Sequence, residues 1–193
     1  MKGTIVALAG RRIDAPGASS PRFPAANTNQ ILKRIREALS AQQASMLISS
    51  AACGADLLGL QAATQLGIKR RVVLPFPREK FRSTSVADRP GDWGAQYDRI
   101  LDDVERAGDL VVLGYRDGDS SAYTATNEAI LNEAGGVAAA SGQRIIALVV
   151  WDGQSRGPDD ITEHFLNEAA QRGLHIHQVS TLCPPAAHAS VPQ

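Results

Sequence analysis

Short, almost wholly apolar runs alternate with longer amphipathic ones along this chain, and that alternation is its strongest signal. Thr4–Ala9 (TIVALA) ends at Gly10 and has the look of a strand buried on both faces. Ile31, Leu32, Ile35 and Leu39 then recur at helical spacing, with Lys33, Arg34, Arg36 and Glu37 between them, which predicts an amphipathic helix. Met46-Leu47-Ile48 predicts the second strand. Leu57, Leu58, Leu60 and Leu66, closed by Gly67, predict the apolar stripe of a second helix. Further strands are predicted at 71–75, 110–113, 145–150 and 175–179, and further helices at about 92–107, 122–140 and 161–172. The stretch between 75 and 92 reads as a long connection.

Strands buried on both faces and separated by helices predict an α/β fold. We expect a Rossmann-like, doubly wound, mainly parallel sheet of about six strands with helices on both faces. By analogy with dinucleotide-binding folds, the expected strand order is 3-2-1-4-5-6. Residues 1–182 read as a single domain and 183–193 (CPPAAHASVPQ) as a disordered tail. Nothing has the layout of a signal peptide, and no apolar run would span a bilayer. The two cysteines, Cys53 and Cys183, sit in different contexts and suggest no disulfide framework. A cytoplasmic setting without membrane association is therefore expected.

Composition changes the picture only locally. The 193 residues are 44% hydrophobic and carry 20 basic against 20 acidic side chains, a net charge of zero. That balance argues against nucleic acid as a partner, because such binders rest on a basic surface. The segments 10–24 and 75–90 differ from the average. They hold seven basic residues (Arg11, Arg12, Arg22, Arg78, Lys80, Arg82, Arg89) against three acidic ones (Asp14, Glu79, Asp88), an excess of four positive charges. Both follow predicted strands, so both belong on the edge of the sheet where open parallel folds bind ligands. A local anion site is expected there.

The candidate ligand-binding residues lie in those loops. After the first strand, Gly10 allows a turn, and Arg11 and Arg12 can offer planar donors to phosphate or carboxylate. After the second come the small residues Ser50, Ala51, Ala52, Cys53 and Gly54, then Asp56. Small residues at a helix start either let the backbone turn tightly or let a ligand approach bare N–H groups. Asp56 would cap that helix or hold a ribose hydroxyl. After the third strand, Pro75, Phe76, Arg78, Arg82 and Ser85 join the set. Beyond the fourth, Tyr123 and Asn127 share a helix face, where they would stack on a base and bond its edge, or equally serve core packing and a local backbone bond. Trp151-Asp152-Gly153 closes the pocket or forms a turn. On this reading Gly54→Val should harm binding more than folding, and Arg11→Ala should weaken binding without appreciably lowering the melting temperature.

Other chemistries have less support. Cys53 near a helix start has the place of a nucleophile, but no histidine precedes His164. A small residue fitting a tight turn explains it as well. His175 and His177 share a strand face without companion ligands, so no metal is expected. The glutamates Glu128 and Glu133 read as a solvated helix face. No cofactor is implied, and the G-x-G-x-x-G spacing of dinucleotide dehydrogenases is missing.

Four stretches together carry a resemblance: Gly10 to Asp14 (GRRID), Ser49 to Asp56 (SSAACGAD), Leu74 to Val86 (LPFPREKFRSTSV) and Trp151 to Gly153 (WDG). With them the chain resembles the SLOG superfamily of Rossmann-like nucleotide-ligand domains, related to the LOG phosphoribohydrolases and to DprA, and in particular its bacterial modules. The resemblance covers the chain to about residue 180. It implies binding or sensing of a nucleotide-derived, phosphorylated ligand in a signalling setting, with a homo-oligomer or an effector protein as further partner. The alternative it offers is a nucleotide N-glycosidase. The hydrolase branch carries a P-G-G-x-G-T-x-x-E stretch, however, and Glu133-Ala134-Gly135-Gly136-Val137 here lacks its proline, its Gly-Thr and its glutamate. Whether the chain is an enzyme stays open on this evidence.

Overall fold

The structure is a computed structural model that describes residues 3–116 and 118–182. Six parallel strands form one sheet: β1 (Thr4–Gly10), β2 (Ala44–Ser49), β3 (Lys69–Leu74), β4 (Leu110–Val112), β5 (Arg144–Trp151) and β6 (His175–Ser180). Six α-helices alternate with them: α1 (Thr28–Ala41), α2 (Ala55–Gln65), α3 (Arg78–Ser85), α4 (Trp93–Arg106), α5 (Ala122–Ser141) and α6 (Ile161–Gln171). This is the expected Rossmann-like α/β architecture. The proposed tail, 183–193, lies outside the described residues.

Alternation along β1 explains the two-sided core. Val6 and Leu8 pack with α1, α2 and α4, whereas Ile5, Ala7 and Ala9 pack with α5 and α6. On β5, Ile146, Leu148 and Val150 face the first layer and Ala147, Val149 and Trp151 the second. A strand buried on both faces needs apolar residues at every position, which is why these runs stand out in the sequence. Gly59 lets α2 sit close on β1, since a Cβ there would meet Leu8 Cδ1 at 2.6 Å.

Two expectations need correction. The strand order is β4-β3-β2-β1-β5-β6, not 3-2-1-4-5-6. The fourth strand extends the β1–β2–β3 series to the edge, and the chain returns through the 20-residue α5 to set β5 beside β1. An apolar run marks a strand but not its neighbours: β4 is apolar throughout, yet it lies at the edge with Val112 44% exposed. Within the expected long connection, residues 78–85 form α3. Its stripe is short, with only Phe81 and Ser85 buried, so charged positions mask the helical period.

The corrected order fixes the position of the switch point. From β1 the chain passes to α1 on one face; from neighbouring β5 it passes to α6 on the other. Adjacent strands whose connections leave to opposite faces open a crevice at their carboxyl ends.

Candidate ligand-binding site

A cavity of about 520 Å³ lies at that crevice, within the range of small-molecule sites. Its wall is built from 9–15 at the end of β1 and beyond it, Ala18, Ser20 and Arg22 in the same loop, Ser50, Ala52 and Asp56 after β2, Phe81 and Ser85 on α3, Arg89, one face of α5, and Arg156 and 159–162 after β5. Gly10, Arg11, Arg12, Ser50, Ala52, Asp56, Ser85, Tyr123 and Asn127 of the expected set all line it.

The Arg11 guanidinium is taken up by protein acceptors. Its Nε donates to Asp152 Oδ1 at 2.9 Å, Nη1 to Asp160 Oδ1 at 2.6 Å and Nη2 to the Gln154 carbonyl at 2.5 Å. Only 2% of its side chain is exposed, and it lies 5.5 Å from the centre of the Trp151 ring. Asp160 also caps α6, accepting from the Thr162 and Glu163 amides, and takes the Arg156 amide on its other oxygen. Burial works against the charge of both partners. The bonds and charges exchanged by Arg11 and Asp160 outweigh it, raising the arginine and holding the carboxyl below the usual range. Arg22 closes the cluster, with Nη1 at 2.8 Å from Asp152 Oδ2. Asp14 folds the intervening loop by accepting the Arg22 and Phe23 amides. The result is a rigid arginine–aspartate clamp joining the loops after β1 and β5.

The small residues after β2 have a packing explanation. Gly54 has φ 105°, and a Cβ there would meet Ile13 N at 2.7 Å and Arg11 O at 2.8 Å. It lies in an antiparallel bridge with Arg12. Around it, Ile13 N–H donates to Cys53 O, Ala55 N–H to Arg11 O and Cys53 N–H to Ser85 O. These N–H groups are therefore used within the fold and are not bare. Gly10 is equally crowded: its Cβ would meet Val150 O at 2.3 Å and Ala55 Cβ at 2.5 Å. Of the two readings of this stretch, the tight turn against neighbouring backbone is the one the geometry supports.

Ala51, Cys53 and Gly54, expected in the site, are buried behind its wall. The Cys53 thiol is raised by burial, with Arg12 only partly opposing, which is the opposite of nucleophile activation. Asp56 is different. It is the second residue of α2, and Gly54 rather than Asp56 is the N-cap. Its Oδ2 reaches back to accept the Ala52 amide at 3.2 Å, while Oδ1 is buried without a hydrogen-bond partner. Burial pushes the carboxyl up to about 7, against the pull of the Ala52 amide, the Arg12 charge and the nearby Gly10 amide.

Helix α5 supplies the wall facing these loops. Tyr123, Thr126, Asn127 and Ile130 all line the cavity, at helical spacing that puts them on one face. Tyr123 Oη and Ser85 Oγ share a hydrogen bond of 3.1 Å, and the Tyr123 ring packs edge-on against Phe76. Asn127 donates from Nδ2 to the Ile161 carbonyl at 2.7 Å. The local backbone bond weighed for Asn127 and the packing weighed for Tyr123 are both present, and both residues still reach the cavity.

Pro75, Phe76, Arg78 and Arg82, also expected in the site, are not part of the wall. Pro75 and Phe76 are buried. Arg78 pairs with Asp102 and Glu105, and Arg82 with Asp98, all on α4. The basic cluster is thus split by α3: its arginines turn toward α4, and only Arg11, Arg12, Arg22 and Arg89 reach the cavity. Arg12 and Arg89 there share Asp88. Glu133, read as solvated, is half-buried and pairs with Arg71 at 2.8 Å.

Sequence reasoning missed Arg156. Its guanidinium lines the cavity and makes no hydrogen bond or ion pair among the described residues. Burial and the neighbouring Arg11 and Arg22 charges lower its pKa, and the nearest carboxylates, Asp160 and Asp152, are already engaged. Asp160 was missed as well. The run Pro158-Asp159-Asp160 before Ile161 is a visible helix-start signal that identifies a cap, but not the arginine that the cap binds.

No family model matches the chain, and no curated protein matches it. Its fold is similar to two solved structures of DNA processing protein A (DprA). The Streptococcus pneumoniae protein matches with 16% identity and a TM-score of 0.43, covering 92% of this chain and 59% of that one. The Helicobacter pylori protein matches with 13% identity and a TM-score of 0.42, covering 92% of this chain and 75% of that one. This chain therefore spans about three-fifths of the first relative's length. One expectation is corrected: the Helicobacter pylori structure is described by its single-stranded DNA binding mode, so the exclusion of a nucleic-acid partner is withdrawn. A net charge of zero constrains only the sum, and this chain gathers arginines at one edge of its sheet. Among the described residues, no helix is long and apolar enough to cross a membrane.

Proposed function

We propose that this domain binds a nucleotide or a nucleotide-derived phosphorylated ligand in the cavity at the carboxyl edge of the sheet, and acts as a ligand sensor. The observation that carries the reading is Arg156. It is a cation on the wall of a cavity at the switch point, and the carboxylates nearest it are already held by other arginines. A phosphate there would meet an uncommitted guanidinium, and a charge-assisted bond of that kind is worth about 1.5–3 kcal/mol. The phenol of Tyr123 and the free carbonyl of Asn127 offer contacts to a base or sugar.

Titration calorimetry with a panel of nucleoside mono- and diphosphates tests this. Saturable binding is expected, and Arg156→Ala should weaken it roughly tenfold or more with the melting temperature unchanged. Equal affinity in wild type and variant would remove Arg156 from the site, and absence of binding across the panel would overturn the reading. The same incubations, examined for released free base, decide between a sensor and an enzyme.

A further inference from the structure

Asp56 is a buried carboxyl on the cavity wall whose bonding is incomplete. Its Oδ2 has one amide donor, its Oδ1 has no partner, and the residue is 7% exposed on the wall. Buried carboxyl groups are normally satisfied, and an under-bonded one is costly unless something else bonds it. The charged group facing it is Arg12, from the loop after β1, and that guanidinium is bonded to Asp88. From α3 comes neutral Ser85, and from α5 neutral Tyr123, Thr126 and Asn127. Arg11, Arg22, Arg89, Arg156, Asp14, Asp159 and Asp160 line the rest of the cavity. The sheet order sets Asp56, after β2, and Arg156, after β5, on opposite sides of β1.

We infer, resting on the proposed nucleotide site, that Asp56 is the subsite for the ligand's sugar hydroxyls: its carboxylate accepts the hydrogen bonds of a vicinal diol whose phosphate is held on the Arg156 side of β1. Carboxylates suit diols because each oxygen accepts and neither needs to donate. Hydroxyl donors stabilise the charged form, as the Ala52 amide already does. Binding therefore draws a proton off Asp56, and affinity rises with pH through the range in which the free protein's carboxyl ionises, near 7.

The test compares adenosine 5′-monophosphate with its 2′,3′-dideoxy analogue on wild type and Asp56→Asn at pH 6 and pH 8. The asparagine keeps an acceptor for the Ala52 amide, and its own pH profile removes the ionisation of the phosphate. For the diol nucleotide, the wild-type gain in affinity from pH 6 to 8 should exceed that of Asp56→Asn by about tenfold, as the competent ionised fraction grows. The dideoxy analogue should bind wild type several-fold more weakly at pH 8, with one pH profile in both proteins. Equal affinity of wild type for the two nucleotides overturns the inference while leaving the nucleotide site intact. So does a wild-type affinity that falls with pH relative to Asp56→Asn, which would make Asp56 a donor. Failure of both nucleotides to bind at both pH values removes the proposed site, and the inference with it.

Discussion

Two arginine clusters, alike in the sequence, have opposite fates in the fold. Arg11 and Arg22 lie in the loop after β1, and Arg78 and Arg82 on α3; all four pair with aspartates. Arg11 is 2% exposed in its side chain and its aspartates 1–3%. Arg82 and its partner Asp98 are each 40% exposed. The first pairing is enclosed, multiply bonded and spans more than 140 residues of sequence, from Arg11 to Asp152 and Asp160. The second joins two helices at the surface, where water competes for every bond. Charge counting sees the two as equal; burial makes one structural and leaves the other nearly idle.

The contrast is broken most directly by Arg11→Ala. Removing one partner of a buried pair leaves the other undercompensated: among the described residues, Asp160 would lose its only bonded cation and keep backbone amides alone, and Asp152 would keep only Arg22. The expected loss is about 3–5 kcal/mol, seen as a large drop in melting temperature or in denaturant midpoint. This reverses the expectation from the sequence, in which Arg11→Ala would weaken binding with folding intact. A variant as stable as wild type would mean that the clamp is no more than a surface pair.

Next in size is Gly54→Ala, which probes the backbone that carries Arg11. A φ of 105° suits glycine alone, and the added methyl would press on Arg11 O and Ile13 N, which are backbone and cannot swing aside. A destabilisation of about 3 kcal/mol is expected by chemical denaturation. Ligand affinity in the fraction that remains folded should change less than stability does. A normal melting temperature with lost affinity would restore the reading in which the small residues face a ligand.

These two positions show how legible the site was. Strands β1, β2, β3 and β5 stood out because the part of each that is buried on both faces is a nearly continuous apolar run, and the loops at their carboxyl ends followed from the parallel architecture. Gly10 and Gly54 stand out in the sequence as small residues beside strand ends. Their crowding by Val150, Arg11 and Ile13 is a matter of three-dimensional neighbours that no local pattern encodes. Arg156 and Asp160 were missed because they lie some 145 residues from the β1 loop they complete, in a stretch whose composition is that of an ordinary turn. Strand order was misjudged because the apolar run at β4 does not tell an edge strand from an inner one; β4 lies at the edge, with no fully buried residue.

A smaller effect separates Asp56 from the clamp aspartates. Its native carboxyl is raised to about 7, above its ordinary value of 3.8, so the folded protein keeps a proton that the unfolded chain has lost. Stability should therefore fall as pH rises from about 4 to 7 and level off above, by up to about 1.4 kcal/mol per pH unit relative to Asp56→Asn. Between pH 5.5 and 7 the difference should approach about 2 kcal/mol in urea denaturation. Asp160, lowered by its bonds to Arg11 and to backbone amides, works in the other direction: its contribution is lost only as pH falls below the ordinary carboxylate range. A flat difference between wild type and Asp56→Asn across that span would show that the carboxyl is solvated in the free protein.

The smallest effect is expected at Arg82, and it completes the comparison. Its guanidinium bonds Asp98 through Nε at 2.9 and 3.1 Å, with both side chains open to solvent. The bond raises the arginine pKa, but an arginine is charged at any working pH, so that shift has no consequence for stability near neutrality. Truncation leaves Asp98 exposed, and Arg78, whose Nη2 also donates to the Asp98 carbonyl, remains beside it. Arg82→Ala should therefore leave the melting temperature within experimental scatter and shift it no further in high salt, since an exposed pair is already screened. Nucleotide affinity should be unchanged too, because α3 turns this side chain away from the cavity wall. A several-fold loss of affinity in Arg82→Ala, with stability intact, would mean that α3 moves when ligand binds and that its arginines reach the site after all.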